Sequence, residues 1–210
     1  VMIISMLIFS IGLRRFIPRL RQNQFEQSIG VRQFFRQIAD VFKSHSARMT
    51  TAAGVMYYAG NGTYVVLWVY IYSYFWEFTS EQIAIIVTPM AFAALLLPPV
   101  MRRLTQGREK KNVAILGLSA AIAVNVCPIG LRLLGYFPEN GSDTLLWIMV
   151  VAGFLETNLF LIFDISWRSM ISDLTERIEL ETGRRNEGVI SSTVTFITKC
   201  ADGLGTLIAG

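Results

Sequence analysis

Three ionisable residues lie inside long apolar stretches, where they could act on a polar or charged solute. Glu156 interrupts the stretch 144–163, and Lys199 and Asp202 interrupt the stretch 188–210. An ionisable side chain at the centre of a lipid bilayer costs about 2.5–3.5 kcal/mol on insertion scales. Such residues need a partner or a water-filled cavity, so they are candidates for a pathway across a membrane.

Glu156 and Lys199 are predicted to lie at similar depths. Lys199 is eleven residues beyond Gly188, a helical rise of roughly 16 Å. Glu156 is twelve residues beyond Thr144, a rise of roughly 18 Å from the opposite side. We expect both side chains to face a shared aqueous cavity and to be able to approach each other. Asp202 competes for the lysine because residues i and i+3 share one helix face. A buried ion pair that only fixes helix packing is the alternative.

Tyr57 and the triplet Gly60, Asn61 and Gly62 lie in the middle of the apolar stretch 49–76. Glycines beside an asparagine can loosen a helix and offer carbonyls and an amide to a ligand, which would place Tyr57 and Asn61 in the pathway. The same glycines can equally allow two helices to pack closely. Both interpretations remain open.

The elements that must position these residues are predicted to be membrane-spanning helices. The chain is 53% hydrophobic and 16% charged, with a mean hydropathy of +0.48, which is more apolar than a soluble domain of this length usually is. A bilayer core of about 30 Å requires roughly 20 apolar helical residues. The spans are predicted at residues 49–76, 82–101, 112–134, 144–167 and 188–210.

The N-terminal part of the chain is predicted to contain a helix end and a linker. Residues 1–13 are too short to cross a bilayer alone, and we expect them to be the end of a helix that begins upstream. Residues 14–48 place apolar residues at helical spacing among basic ones, which favours an amphipathic helix on the membrane surface. The sequence therefore predicts an all-α membrane protein whose helix bundle occupies residues 49–210.

Lysine and arginine are concentrated on one side of the predicted membrane. They cluster in segments 14–48, 102–111 and 168–185, whereas the connections 77–81 and 139–143 are acidic. By the positive-inside rule, the basic segments are cytoplasmic. This distribution follows membrane topology and argues against a nucleic-acid partner. We expect a multi-pass plasma membrane protein of a bacterial inner membrane, with the lipid bilayer as a partner.

Motifs near the end of the chain resemble a transporter family. The resemblance rests on Ser169-Met-Ile-Ser-Asp173, on Thr182-Gly-Arg-Arg-Asn-Glu-Gly188 and on Phe196-Ile-Thr-Lys199 with Gly203 and Gly205. These segments resemble the glycoside-pentoside-hexuronide:cation symporters, the melibiose-permease-like branch of the major facilitator superfamily. The basic segment 102–111 resembles the superfamily's short cytoplasmic loop between paired helices.

The resemblance implies the C-terminal half of a major facilitator bundle, from the end of its helix 6 through helix 11, without helix 12. Lys199 matches a lysine that the family carries close to its sugar and cation sites. The family's acidic cation ligands belong to the N-terminal half, which we expect upstream as a partner within the same chain. No cofactor is expected beyond a coupling Na⁺ or H⁺.

The resemblance also implies a set of gating charges at the cytoplasmic side. Asp173, Arg184 and Glu187 match loop positions whose charge contacts break and re-form as such a transporter changes its open side. Arg103 and Arg108, in the basic loop, are assigned to the same set.

Cation-coupled symport of a sugar or glycoside by alternating access is the leading functional hypothesis. A carrier of lysolipids or other amphiphiles would keep the fold but would require a largely apolar cleft. A non-transporting membrane scaffold or receptor is the alternative from another class. An enzyme is not expected, because the single histidine, His45, and the dispersed acidic residues form no catalytic cluster.

Replacing Lys199 with alanine tests its predicted place in the pathway. We expect uptake of the transported sugar by the full-length protein to fall about tenfold or more, the loss that follows removal of one charge-assisted hydrogen bond. Uptake is measured in membranes that contain equal amounts of each variant. Full uptake by the Lys199→Ala variant would eliminate this role.

Overall fold

A computed structural model of the chain describes residues 44–182 and 187–210, together with positions 12, 39 and 42. The predicted helix end 1–13 and most of the linker 14–48 lie outside the described residues. Every regular element among the described residues is a helix, which confirms the all-α prediction. These helices all belong to one compact unit, Arg36–Gly210.

Helix α1 spans His45–Tyr70 and continues directly into a π-helical turn, Ile71–Phe75. α1 stays helical through the Gly60, Asn61 and Gly62 triplet, so the structure shows no loosening of the helix at this point. After the π-helical turn, Glu77 adopts a left-handed φ of 56°, and the chain turns back towards the next helix.

The second predicted span consists of two helices, α2 at Ser80–Met90 and α3 at Ala93–Thr105. α2 begins with a capping box, in which Thr79 and Gln82 each accept a hydrogen bond from the other's backbone N–H. Pro89 lies one residue before the end of this helix, and proline weakens a helix because it lacks an N–H and its ring clashes with the preceding turn.

Helix α4 spans Lys110–Leu133, and Gly135 follows its end with φ of 79°. A left-handed residue at this position is the usual stop for a helix, and glycine adopts that conformation without strain. Helix α5 spans Asp143–Thr182, and α6 spans Glu187–Ala209. At 40 residues α5 has a length of about 60 Å.

The segment 168–182 was predicted to be part of a connecting loop, but it continues α5 as a helix. Its apolar residues explain this difference, because Leu174 and Ile178 are one helical turn apart and are both buried. They pack in the same core cluster as Trp167 and Ile190. Burial of this stripe therefore extends the helix beyond the apolar stretch.

Two close helix pairs organise the bundle: α1 packs mainly against α6, and α4 packs mainly against α5. α5 also contacts α1, α2, α3 and α6, so it is the central helix. Glycines allow the closest approaches. A Cβ atom at Gly62 of α1 would collide with the backbone of Asp202 on α6, and one at Gly205 would collide with the backbone of Ala59.

Many large apolar side chains lie on the outside of the bundle. Leu95 is 72% exposed, Leu133 is 74% exposed and Leu207 is 77% exposed, which is the arrangement expected of helices that face lipid. Three helical segments are long and apolar enough to cross a membrane: Ser80–Thr105, Lys110–Leu133 and Asp143–Leu180. α1 and α6 do not meet this criterion, because their many polar and small residues lower the hydropathy of their sequences.

Substituting alanine for Gly62 tests the α1–α6 crossing. We expect a loss of about 1–3 kcal/mol in the free energy of unfolding, because the two backbones must separate to admit the methyl group. Gly60→Ala is the matched control, because a Cβ atom there meets nothing within 4 Å. Unfolding of the full-length variants in detergent micelles measures both changes. Equal effects of the two substitutions would contradict the proposed packing role.

Candidate functional site

A buried carboxyl group joins three helices in the middle of the bundle. Glu156 on α5 is 5% exposed, and its Oε1 accepts a hydrogen bond from the Tyr64 hydroxyl of α1. Asn125 on α4 donates from Nδ2 to the same Oε1 at 2.6 Å and to the Tyr64 hydroxyl oxygen at 3.0 Å. We call these three residues the Glu156 cluster, and it contains no positively charged group.

A second polar group, the Asp164 network, lies two helical turns further along α5. Tyr58 of α1 donates its hydroxyl to Asp164 Oδ1 at 2.7 Å. Arg168 donates from Nε to Asp164 Oδ2 at 2.7 Å and from a terminal nitrogen to the Tyr58 hydroxyl oxygen at 2.8 Å. Here the carboxylate has both a cation and a hydroxyl donor, so its charge is compensated.

A third contact connects α1 to α6. Asn61 donates from Nδ2 to Asp202 Oδ1 at 3.2 Å. Two residues later, the Thr63 hydroxyl donates to the backbone carbonyls of Ala59 and Gly205 at 3.1 and 3.0 Å. Gly62 provides the close approach and Asn61 provides the hydrogen bond, so the small-residue interpretation of the triplet describes the structure.

The predicted approach of Glu156 to Lys199 is not found. Glu156 is turned towards α1 and α4, whereas Lys199 is exposed on α6. Among the described residues Lys199 forms no ion pair or hydrogen bond, and Asp202 bonds Asn61 instead of Lys199. Similar depth in two helices does not fix the directions in which their side chains point, and packing against α1 and α4 sets the direction of Glu156. The pathway roles of these residues remain predictions.

The basic ends of α4 and α5 are joined by an ion pair. Lys110 Nζ lies 2.6 Å from Asp173 Oδ2, and both groups are substantially exposed. Asp173 was a predicted gating charge, but Lys110 was not identified as its partner. Arg103 and Arg108 are exposed, and their side chains form no hydrogen bond or ion pair with a described residue. Arg184 and the side chain of Glu187 lie outside the described residues.

An apolar groove of about 700 Å³ runs between α1, α4 and α5. It extends along α4 from Lys111 to Val126, a rise of roughly 22 Å. Polar side chains contribute at only a few points, among them Tyr57, Asn61 and Asn125. Most of the lining is apolar, including Met56, Ile115, Leu118, Ile122, Phe160 and Phe163.

Several residues of these groups were not identified from the sequence. Asp164 lies inside the predicted span 144–167, near its boundary with the basic segment, and was not singled out, although it bonds Tyr58 within the bundle. Tyr64 and Asn125 are neutral residues, and only their contacts with Glu156 distinguish them. The signal for Asn125 is its position near the middle of the predicted span 112–134, a depth similar to that of Glu156 in its own span.

The apolar outer surface and the buried polar groups define a multi-pass membrane protein whose interior carries hydrogen-bonded polar side chains. The family described as MFS/sugar transport protein matches residues 1–210. The chain belongs to this family, and so it is a transporter of the major facilitator superfamily. None of the curated proteins and none of the solved structures compared with the chain matches it.

Removing the Tyr58 hydroxyl tests the Asp164 network. We expect Tyr58→Phe to lower the free energy of unfolding by about 1–2 kcal/mol, because Asp164 loses a donor and Arg168 loses an acceptor. Tyr57→Phe is the matched control, since the neighbouring hydroxyl bonds none of the described residues. If both variants unfold at the same denaturant concentration as the wild type, the network contributes nothing to stability.

Proposed function

We propose that this chain is the C-terminal half of a secondary active transporter that takes up a sugar or glycoside together with Na⁺ or H⁺. The membership of the MFS/sugar transport protein family supports a small-molecule solute and a transporter of this kind. The glycoside-pentoside-hexuronide branch, the cation coupling and the bacterial inner membrane are parts of the proposal. In the same proposal, the basic loops face the cytoplasm.

The row of polar contacts along α1 is the observation that carries this proposal. Tyr58 bonds α5, Asn61 bonds α6 and Tyr64 bonds α5. Successive members are three residues apart, so the row covers a rise of roughly 9 Å inside the bundle. A helix that only anchored the chain in lipid would have no need for polar side chains at this depth.

These contacts give α1 a way to move during alternating access. Each of these hydrogen bonds joins α1 to a different residue of α5 or α6. As the helices shift, each bond can be exchanged for a hydrogen bond to the solute or to water. The glycines at the α1–α6 crossing leave few side chains between the two backbones, which favours sliding of the pair. In this proposal Lys199, which is exposed on α6, contacts the solute or the N-terminal half.

At the basic end, we propose that the ion pair between Lys110 and Asp173 acts as one of the gating contacts. Both side chains are exposed, so the pair contributes little to stability and can open at low cost. In the same proposal, other charge contacts form when the transporter opens to the other side. The residues assigned to those contacts are Arg103, Arg108, Arg184 and Glu187.

The apolar groove favours a second candidate, a carrier of lysolipids or similar amphiphiles. Its length of roughly 22 Å suits an extended acyl chain, and its lining is mostly aliphatic and aromatic. Lys111 lies at one end of the groove, where it would attract an anionic headgroup. The groove therefore makes an amphiphile assay a necessary part of the test.

The test is uptake by the full-length protein in proteoliposomes. We expect accumulation of at least one member of a panel of radiolabelled sugars, glycosides and uronates under an inward Na⁺ or H⁺ gradient, and loss of accumulation when an ionophore collapses the gradient. Uptake of a fluorescent lysophospholipid instead would favour the second candidate. Uptake of neither class would favour the scaffold or receptor alternative.

A pair of variants on α4 separates the two candidates further. Leu118 lines the groove, whereas Leu116 lies two positions away and is not part of the lining. Leu118→Gln is expected to impair lysophospholipid transport, and Leu116→Gln is not. If the protein transports a sugar by a route outside the groove, the Leu118→Gln substitution leaves sugar uptake at the level of the Leu116→Gln control.

A further inference from the structure

Two carboxyl groups within the apolar part of α5 lie in different electrostatic settings. Asp164 is paired with Arg168. Glu156 is 5% exposed, and within the described ranges 44–182 and 187–210 no lysine, arginine or histidine pairs with it. A buried carboxylate without a counter-charge is strongly disfavoured, and binding a proton removes the charge. The contrast between the two acids indicates a role for Glu156 that a structural ion pair does not explain.

The groups that face Glu156 come from every helix packed around it. α1 contributes the Tyr64 hydroxyl, and the π-helical turn contributes Tyr72. α4 contributes the uncharged amide of Asn125. The apolar Ile86 and Met90 of α2 lie against Gly153, about one helical turn before Glu156 on α5. Asp202 of α6 bonds Asn61. Among the described residues, tyrosine is the only titratable type that faces this carboxyl group.

The hydrogen bonds leave one carboxyl oxygen available. Tyr64 and Asn125 both donate to Oε1, and Oε2 accepts no hydrogen bond from the described residues. Glu156 also borders a cavity of about 20 Å³ that Trp68, Tyr72 and Pro128 help to line. Such a cavity has room for one water molecule. A proton carried by that water can bind Oε2 while Oε1 keeps both of its hydrogen bonds.

The same donors argue for a proton over a metal cation. The O–H of Tyr64 and the N–H of Asn125 are directed at the carboxyl oxygen, so their positive ends would repel a metal ion placed there. They stabilise a carboxyl group in either protonation state. A metal cation would instead require several oxygen atoms arranged around it.

We propose that Glu156 is a proton-binding site of this half of the transporter, separate from any cation ligands in the N-terminal half. A proton from water adds to Oε2, and on release it returns to water on the other side of the membrane after α1 has moved relative to α4 and α5. Tyr64 and Asn125 are positioning residues, and Tyr64 keeps its own proton throughout. This coupling role rests on the proposed function, but the binding site itself does not.

Infrared difference spectroscopy of the full-length protein in lipid tests the site without any transported solute. A protonated carboxylic acid has a carbonyl stretch that a carboxylate lacks, so a pH titration reveals its loss. We expect this titrating band in the wild type, its absence in Glu156→Gln and its retention in Asp164→Asn, which removes the paired acid. A band that persists in Glu156→Gln, or no such band in the wild type, would overturn the proposal.

A second variant keeps the test decisive if Glu156→Gln does not fold. Tyr64→Phe removes one donor from Oε1 and leaves the carboxyl group in place, so the band is expected to shift in frequency. An unshifted band would contradict the assignment to Glu156.

The coupling of proton binding to transport is measured separately. The measurement follows proton movement during uptake of the solute that the uptake panel identifies. If the band is lost in Glu156→Gln but uptake does not depend on protons, Glu156 binds a proton and only its role in coupling is refuted.

Discussion

Lipid offers no hydrogen bonds, and this constraint explains most of the arrangement around α1. A polar side chain buried in the bundle interior is costly unless another part of the protein or a water molecule forms a hydrogen bond with it. α1 carries Tyr58, Asn61 and Tyr64 in succession, and their partners lie on α4, α5 and α6. The polar residues of α1 therefore determine which helices surround it, as much as its apolar residues do.

The helical class and approximate positions of the elements could be predicted from the sequence, because hydrophobic length is a local property. The extension of α5 to Thr182 and the division of the second span near Pro89 were not predicted. The first depends on burial of Leu174 and Ile178 against other helices. A proline in an apolar stretch is visible in sequence, but whether it divides the helix depends on the surrounding packing.

The candidate site was predicted less completely, because a sequence gives depth but not direction. Glu156 and Asn61 were identified by residue type and position, yet their partners were not. Tyr64 and Asn125 are common residues that become informative only beside a buried acid. The glycine triplet shows the same limit, because Gly62 faces α6 whereas a side chain at Gly60 would meet nothing.

Two acids in one helix differ in how far their surroundings depend on neighbouring helices. Asp164 and Arg168 are one turn apart on α5, and their mutual bond does not depend on the position of another helix. The hydrogen bonds of Glu156 come from α1 and α4, so they change whenever those helices move relative to α5. A rearrangement of the bundle therefore alters the surroundings of Glu156 far more than the pairing of Asp164 with Arg168. This dependence on neighbouring helices is the physical requirement for coupling an ion to a conformational change.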